Sequence, residues 1–572
     1  MITDARAAGL PDRIEADLVI VGAGAAGIAL AVALADTSMH VVVVEAGGPK
    51  YSSTIQDFYR GESVRPAAHS PVDMYRRRVF GGSTTLWGGR CIPFDPIDLE
   101  LRPWMKYARW PIAYDEVADQ IPRAMEIVEA GLPEFRADAA LEGPAAMVAG
   151  VTSADVILDR IERFSRPTDF GERYRKRLAS AANIRLFTNA PTTRILHGDD
   201  GTAAGVQVNI DGRTRTIAAP RIVLAAGGIE TPRLLLAGND ARPQGLGNEH
   251  DLVGRFYQCH LEGEVGRLQF LCPQNQIRMD YEQSRDGIYS RRYIWLSPEA
   301  QRRHKLAGLV IRPAHPGIVD PDHRDPVLSA MYLAKAFIVP EYARKMTALE
   351  HHARARRGGS ALNYHAAHIR NLLLGSPRLA SFAYDWTRRR ILADRKLPSV
   401  VLSNPEGVYP ADMNGEQEPN YHSRVSLGAE RDALGMRRVR IDWRATQADY
   451  RRMLDGLRVI AGAFDSSGTV RLDLAGVDES SLSQTIVPIG GHHIGTTRMA
   501  DDPRSGVCDR NGEVFSVPGL FVAGSAVFPT SSFANPTLTL IALTLRLSDH
   551  LKRIGPRPVV RRESILAGGF HA

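Results

Sequence analysis

Two short segments near the end of the 572-residue chain hold the side chains best suited to chemistry. One reads Gly490-Gly-His492-His493-Ile-Gly-Thr-Thr-Arg498-Met499, the other Ser531-Ser-Phe-Ala-Asn535-Pro536-Thr537-Leu-Thr539. An imidazole titrates near pH 6.5, so one of these histidines is suited to act as a general base. Beside glycines a histidine is also commonly structural or exposed. As a metal site the pair is poor, because adjacent residues point in different directions and no nearby acid or cysteine completes a ligand set. Asn535 and Pro536 are good helix-start residues, and a plain cap would account for them. The functional reading uses the same geometry. A helix N-terminus carries roughly half a positive charge, which stabilises negative charge forming on a group beside it, with Asn535 near enough to bond a substrate oxygen.

Three strand–glycine–helix units are the elements that would position these groups. Ala16–Val21 reads as a short buried strand. Gly22-Ala-Gly24-Ala25-Ala-Gly27 follows, then a small-residue helix to about Asp36 and a second strand over His40–Glu45. Glu45 comes 18 residues after the third glycine. A GxGxxG in this setting fits dinucleotide binding. Gly22 allows the tight turn, Gly24 lets backbone approach a pyrophosphate, and Gly27 lets helix and strand pack closely. The helix N-terminus turns unpaired N–H groups toward phosphate, and Glu45 is placed to accept ribose hydroxyls. This unit alone does not choose FAD over NAD. In the second unit, Arg221–Ala226 is a strand, Gly227-Gly228 the turn and Glu230-Thr-Pro232 the helix start, with Pro232 in the first turn. In the third, Leu520–Ala523 leads through Gly524-Ser525 toward a helix from Thr537 to about Leu551. The loop YRRRVFGGSTTLWGGR at 75–90 would press Gly81, Gly82 and Ser83 against a planar ligand, although a surface loop accounts for it equally well.

Between these units, 111–182 reads as mainly helical, and Asn183–Thr188, Gly205–Ile210 and Thr214–Ala218 as strands of a hairpin region. Residues 263–484 read as a second domain inserted into the first, with strands at Ser423–Leu427 and Arg438–Trp443. The expected fold class is α/β: a discontinuous Rossmann-like nucleotide-binding domain with an inserted α+β substrate domain of antiparallel sheet and helices. The nucleotide-binding parts are 1–100, 183–262 and 485–555. Residues 101–182 are a substrate or cover segment, 263–484 the substrate domain and 556–572 a C-terminal tail.

Composition narrows the class. With 44 % hydrophobic and 24 % charged residues the chain is globular, not disordered. Four widely spaced cysteines, none in a CxxC, argue against a disulfide scaffold, zinc or an iron–sulfur cluster. They fit a reducing compartment. The uncharged run 18–35 has the length of a membrane span, but its glycine breaks mark strand, turn and helix instead. No basic-then-apolar leader opens the chain, so it reads as cytoplasmic, with export alongside a partner subunit left open. Net charge is +7, and Arg344–Lys396 alone carries +9. A general nucleic-acid binder is therefore excluded. That stretch reads as a solvated helical cover over the active site or, more sharply, as a docking face for an anionic membrane or an electron-acceptor protein.

Assembled, the chain resembles the glucose–methanol–choline (GMC) family of FAD-dependent oxidoreductases. The matching stretches are VIVGAGAAG…VVVVEAGG, FGGSTTLWGG, RIVLAAGGIETPRLLL, NEHDLVGRF, EQEPNYHSRVSL with RIDW, and GGHHIGTTRM…GLFVAGSAVFPTSSFANPTLT. They span residues 17–550 and sit nearest the bacterial sugar-dehydrogenase and pyranose-oxidase side of the family. The resemblance implies FAD, oxidation of an alcohol to a carbonyl, and catalytic roles for His492 as base and Asn535 as its partner, with His493 structural. It also implies FAD contacts from Gly22, Gly24, Ala25, Gly27, Glu45, Gly81, Gly82, Ser83, Ala226, Gly227, Gly524, Ser525, Asn535, Pro536 and Thr537, and no metal. Leu86 stands where some members carry a histidine bonded to the flavin, so non-covalent FAD is expected. Trp87 replaces a frequent asparagine, and Gly228 is a minor departure. The electron acceptor, whether quinone, cytochrome or O2, stays open. So do an O2-using oxidase, a lyase that keeps FAD structurally and a non-catalytic flavoprotein.

Overall fold

Short uncharged runs rich in β-branched residues make strands buried on both faces, as in a parallel sheet covered by helices. Leu18–Val21, Val41–Val44 and Ile222–Leu224 are such runs, and every residue in them is buried. In the computed structural model they form the middle of a six-stranded parallel sheet. Its order is Ile2–Asp4, Ile184–Thr188, Val41–Val44, Leu18–Val21, Ile222–Leu224, Leu520–Val522. The structure describes all residues except 8, 167, 239–241, 335–360, 489–490 and 557–572, and for 361–362 the backbone alone. Strands from both ends of the chain meet in one sheet, the discontinuous layout read from the sequence. The run at 18–35 is a strand, a turn and the Ala25–Leu34 helix.

Three local readings are corrected. Ile184–Thr188 is not in the hairpin region, because it pairs in parallel with Val41–Val44. The hairpins are formed by Thr192–His197, Ala203–Ile210 and Arg213–Ala218. A five-residue strand with apolar residues at Ile184, Leu186 and Phe187 looks the same in both settings, and only its neighbours decide. Within 111–182, Val156–Ile157 and Ile161–Phe164 are strands, paired with Ile294–Leu296 and Tyr289–Arg292. Pairing with residues far along the chain overrides local preference there. The second glycine helix starts at Gly227, so Pro232 lies inside it and not in its first turn. Proline has no N–H to give the Gly228 carbonyl four residues back. The Thr496 hydroxyl donates to that carbonyl instead, at 2.6 Å.

A second core surrounds a seven-stranded sheet built on Leu261–Phe270, Val408–Gly415 and Leu309–Pro313, all antiparallel neighbours. The Gln447–Asp465 helix starts in a capping box from Thr446 and Asp449, which satisfies two otherwise orphaned N–H groups. It buries Leu454, Leu457, Ile460 and Phe464 in this core. Of the basic stretch 344–396, residues 344–360 lie outside the described residues. The remainder includes the helices Ala361–Leu374 and Ser376–Trp386, which meet Pro326–Leu333 and leave Leu373, Leu374, Tyr384, Ile391 and Leu392 exposed. Of the tail, 557–572 is likewise outside the described residues, as is Gly490 in the first histidine motif. Among the described residues no helix is long and apolar enough to cross a membrane. All four cysteines are free.

Candidate active site

At the first glycine turn, backbone comes close enough to backbone to exclude any side chain. Gly22 has φ +105°, and a Cβ there would sit 2.6 Å from the Ala225 carbonyl oxygen. A Cβ at Gly27 would overlap the Gly22 carbonyl oxygen. Gly27 is therefore a packing glycine, as the spacing suggested, and does not itself face ligand. The Ala25–Leu34 helix that follows has no side-chain cap, so its first N–H groups stay free for an anion.

These groups line a single slot of about 410 Å³. At one end are Gly22, Gly24 and Ala25 with Glu45; along its side lie Gly82 and Ser83, then Ala226 and Gly227. At the other end are Gly524 and Ser525, His492 and His493, and Asn535, Pro536 and Thr537. Two of the expected contacts, Gly27 and Gly81, are absent from the lining. The Gly81 N–H donates to the Ala23 carbonyl and the Gly82 N–H to the Val79 carbonyl, so these amides hold the loop rather than a ligand. Glu45 accepts from the N–H groups of Ala23 and Gly47, both at 2.8 Å. It thereby ties the end of its strand to the glycine turn as well as facing the slot. Burial pushes its pKa up. Leu86 lines the slot with hydrocarbon that offers no covalent attachment.

The two C-terminal segments converge. Asn535 is the N-cap of the Pro536–Ile554 helix, yet its side chain does not cap it. Its Nδ2 lies 3.3 Å from His492 Nε2, and its Oδ1 is buried without a partner among the described residues. The plain-cap reading is therefore set aside. Burial, then the nearness of His260, His493 and Arg90, holds His492 well below the ordinary imidazole pKa, so it rests as a neutral base. His493 also lines the slot; its ring stacks with Tyr257, and its carbonyl accepts from Ser525 Oγ at 2.8 Å. Gly228 is no minor departure: a Cβ there would overlap the His493 carbonyl, so only glycine lets this helix pack against the histidine segment. Among the described residues no cluster of His, Cys, Asp or Glu could hold a metal.

Several site residues had no signal in the sequence. His260, three residues past Tyr257, places Nδ1 2.9 Å from His492 Nδ1. Arg76 and Arg78 belong to a basic run that was legible, but their role was not. Together with Arg233 they surround Glu230 at 2.6–3.2 Å. Burial pushes the Glu230 carboxyl up, but Arg233, Arg78 and Arg76 outweigh it and hold it down at about 2. Arg90 lines the slot near His492 and is anchored by Glu162 at 3.3 Å.

The slot fits FAD on three counts. An uncapped helix N-terminus faces the pyrophosphate end, a second uncapped N-terminus closes the far end, and the orphaned Asn535 Oδ1 waits there for a polar partner.

Comparison with known proteins agrees. A family pattern described as FAD dependent oxidoreductase matches residues 17–331, and one described as GMC oxidoreductase matches 419–544. A C-glycoside 3-oxidase of Arthrobacter globiformis is 39 % identical over 26 % of this chain, which spans 28 % of that relative's length. The fructose dehydrogenase large subunit of Gluconobacter japonicus is 22 % identical over 94 % of this chain and 98 % of its own. A fungal aryl-alcohol oxidase structure shares the fold with a TM-score of 0.53 at 14 % identity, covering 94 % of this chain and 99 % of its own. Glycine turns, slot and matched residues place this chain in the GMC family of FAD-dependent oxidoreductases.

Proposed function

We propose that the chain oxidises an alcohol carbon of a sugar, glycoside or related polyol to a carbonyl. The observation that carries this reading is the pairing of a neutral His492 with an uncapped Asn535, both lining the slot. FAD held along the slot would supply the oxidant, a two-electron acceptor for the carbinol hydride. The residues do the rest. His492 Nε2 removes the hydroxyl proton. Asn535 donates from Nδ2 to the oxygen as it gains charge, and the positive end of the Pro536–Ile554 helix favours that charge. A base held in place contributes about 10²–10⁴-fold. The depressed pKa of His492 keeps it unprotonated and ready, and the alkoxide formed beside it offsets the charge it then acquires.

The sugar and polyol class is supported by the matched relatives, a C-glycoside oxidase and a fructose dehydrogenase. Of these two, the dehydrogenase is the one aligned along nearly the whole of both chains, which supports an acceptor other than O2. The experiment is a dye-reduction screen over sugars and polyols, with and without O2, alongside anaerobic bleaching of the protein-bound flavin. We expect a sugar or polyol to bleach the flavin and reduce the dye equally well without O2. If only simple or aromatic alcohols bleach it, the substrate class is wrong. Peroxide formed at the full turnover rate would make it an oxidase. No bleaching with any alcohol would favour a lyase or a non-catalytic flavoprotein.

A further inference from the structure

His260 lies on the far side of His492 from the substrate end, fully buried at the junction with the inserted domain. Its Nε2 is 3.0 Å from the Ser531 carbonyl oxygen, and its Nδ1 is 2.9 Å from His492 Nδ1. A carbonyl can only accept, so His260 must carry its proton on Nε2. A neutral imidazole has one N–H, which leaves Nδ1 of His260 bare. The short contact between the two Nδ1 atoms needs one proton, and only His492 can supply it. His492 Nε2 is then bare too, facing the Asn535 amide, which can only donate from Nδ2. Four groups thus agree on one arrangement of protons.

We infer that His260 is a positioning residue: anchored by the Ser531 carbonyl, it fixes the tautomer and orientation of His492 so that the reactive lone pair sits on Nε2. This rests on the proposed role of His492 as base. Without His260, the other tautomer of His492 would put a proton where the lone pair is needed. The arrangement also explains how His492 bears a proton during turnover. Its Nδ1–H then donates to a neutral acceptor, and that bond strengthens as His492 becomes charged. Burial holds His260 down at about 4, so it stays neutral while His492 cycles. The chain of bonds ends on a carbonyl, which cannot take a proton. His492 therefore keeps the proton it removes until it returns it on the slot side.

Two substitutions separate the parts of the interaction. His260→Gln can still donate to Ser531 from Nε2 but presents no acceptor where Nδ1 was. His260→Asn loses the Ser531 bond but can place Oδ1 near the Nδ1 position. The other ionisable groups around the pair are His493 and Arg90 beside His492, and Glu416 and Arg312 beside His260, and these stay unchanged in both variants. The expected result is FAD content equal to wild type in both. His260→Gln should lose about 100-fold in the anaerobic rate of flavin reduction, and the acid limb of its kcat/KM profile should move to lower pH, because the protonated base has lost its acceptor. His260→Asn should recover most of that rate, with the acid limb near its wild-type position. The inference is overturned if His260→Gln reduces flavin within threefold of wild type, or if His260→Asn is as slow as His260→Gln. His492→Ala is run in parallel. If it abolishes turnover while His260→Gln does not, only the positioning role falls. If it keeps turnover, the underlying assignment of the base falls with it.

Discussion

The two ends of the slot are built in opposite ways. The nucleotide end is made mostly by backbone, from one short stretch of chain with the Ala225 carbonyl packed against its first glycine. Gly22, Gly27, Glu45 and Gly47 fall within one strand–helix–strand unit, and their contacts are turns, helix N–H groups and two bonds to a single carboxylate. The catalytic end is made by side chains from distant segments. His260 reaches His492 across 232 residues and the Ser531 carbonyl across 271, and Asn535 reaches His492 across 43. A site made of backbone has a sequence signature, because only glycine fits where backbone meets backbone. A site made of convergent side chains has none beyond the identity of each residue.

The contrast predicts that damage at the nucleotide end removes the cofactor, whereas damage at the catalytic end leaves a coloured but slow protein. The largest effect is expected for Gly27→Val, whose Cβ overlaps the Gly22 carbonyl. Purification should give colourless or insoluble protein, and a variant with wild-type flavin absorbance would break the comparison. His492→Ala should keep its flavin spectrum and lose about 10²–10⁴-fold in turnover, read by anaerobic stopped-flow. Asn535→Ala should lose about 10²–10³-fold, since it removes one donor to the developing charge and leaves the base.

Acidity sharpens the contrast further. The base works unprotonated, and its pKa is depressed. The acid limb of kcat/KM should therefore lie below pH 6.5 rather than at it. Stability follows the same sign. His260 has a folded pKa of about 4 against an unfolded 6.5. Below pH 6.5 the unfolded chain binds the extra proton, and stability falls as the pH drops toward 4, by ~3 kcal/mol for this residue. Glu230, held at about 2, adds a loss that begins below its unfolded 4.5. Buried Asp98, pushed up to about 8, acts with the opposite sign over the same range. The share of His260 is therefore read as the difference between the wild-type and His260→Gln melting midpoints, which should shift in favour of the variant as the pH falls from about 6.5 to about 4. The smallest effect is expected for Thr496→Val, which leaves the Gly228 carbonyl without its donor. A loss of about 1 kcal/mol should appear as a small drop in melting temperature with turnover nearly unchanged.

Legibility in the sequence divides along the same line. The run LVIV, the GxGxxG and the acid at Glu45 were readable because each is a local requirement. His492 and Asn535 stood out by residue type and motif. His260 did not, because a histidine opening a strand carries no mark of what it will face. Pro232 misled for a related reason: a proline suits a helix start, and only the distant Thr496 hydroxyl makes it tolerable inside one. Ile184–Thr188 could have joined a hairpin or the central sheet, and its burial on both faces became visible only once Val41–Val44 lay beside it.

The amino-acid order alone determined the three glycine turns, the strands that lead into them and the two residues with chemistry to offer, because backbone sterics and side-chain type act within a few residues. Tertiary structure decided which way the protons point. The Ser531 carbonyl, His260, His492 and Asn535 become a single hydrogen-bonded row only when segments 43, 232 and 271 residues apart are brought together, and burial there keeps both imidazoles neutral.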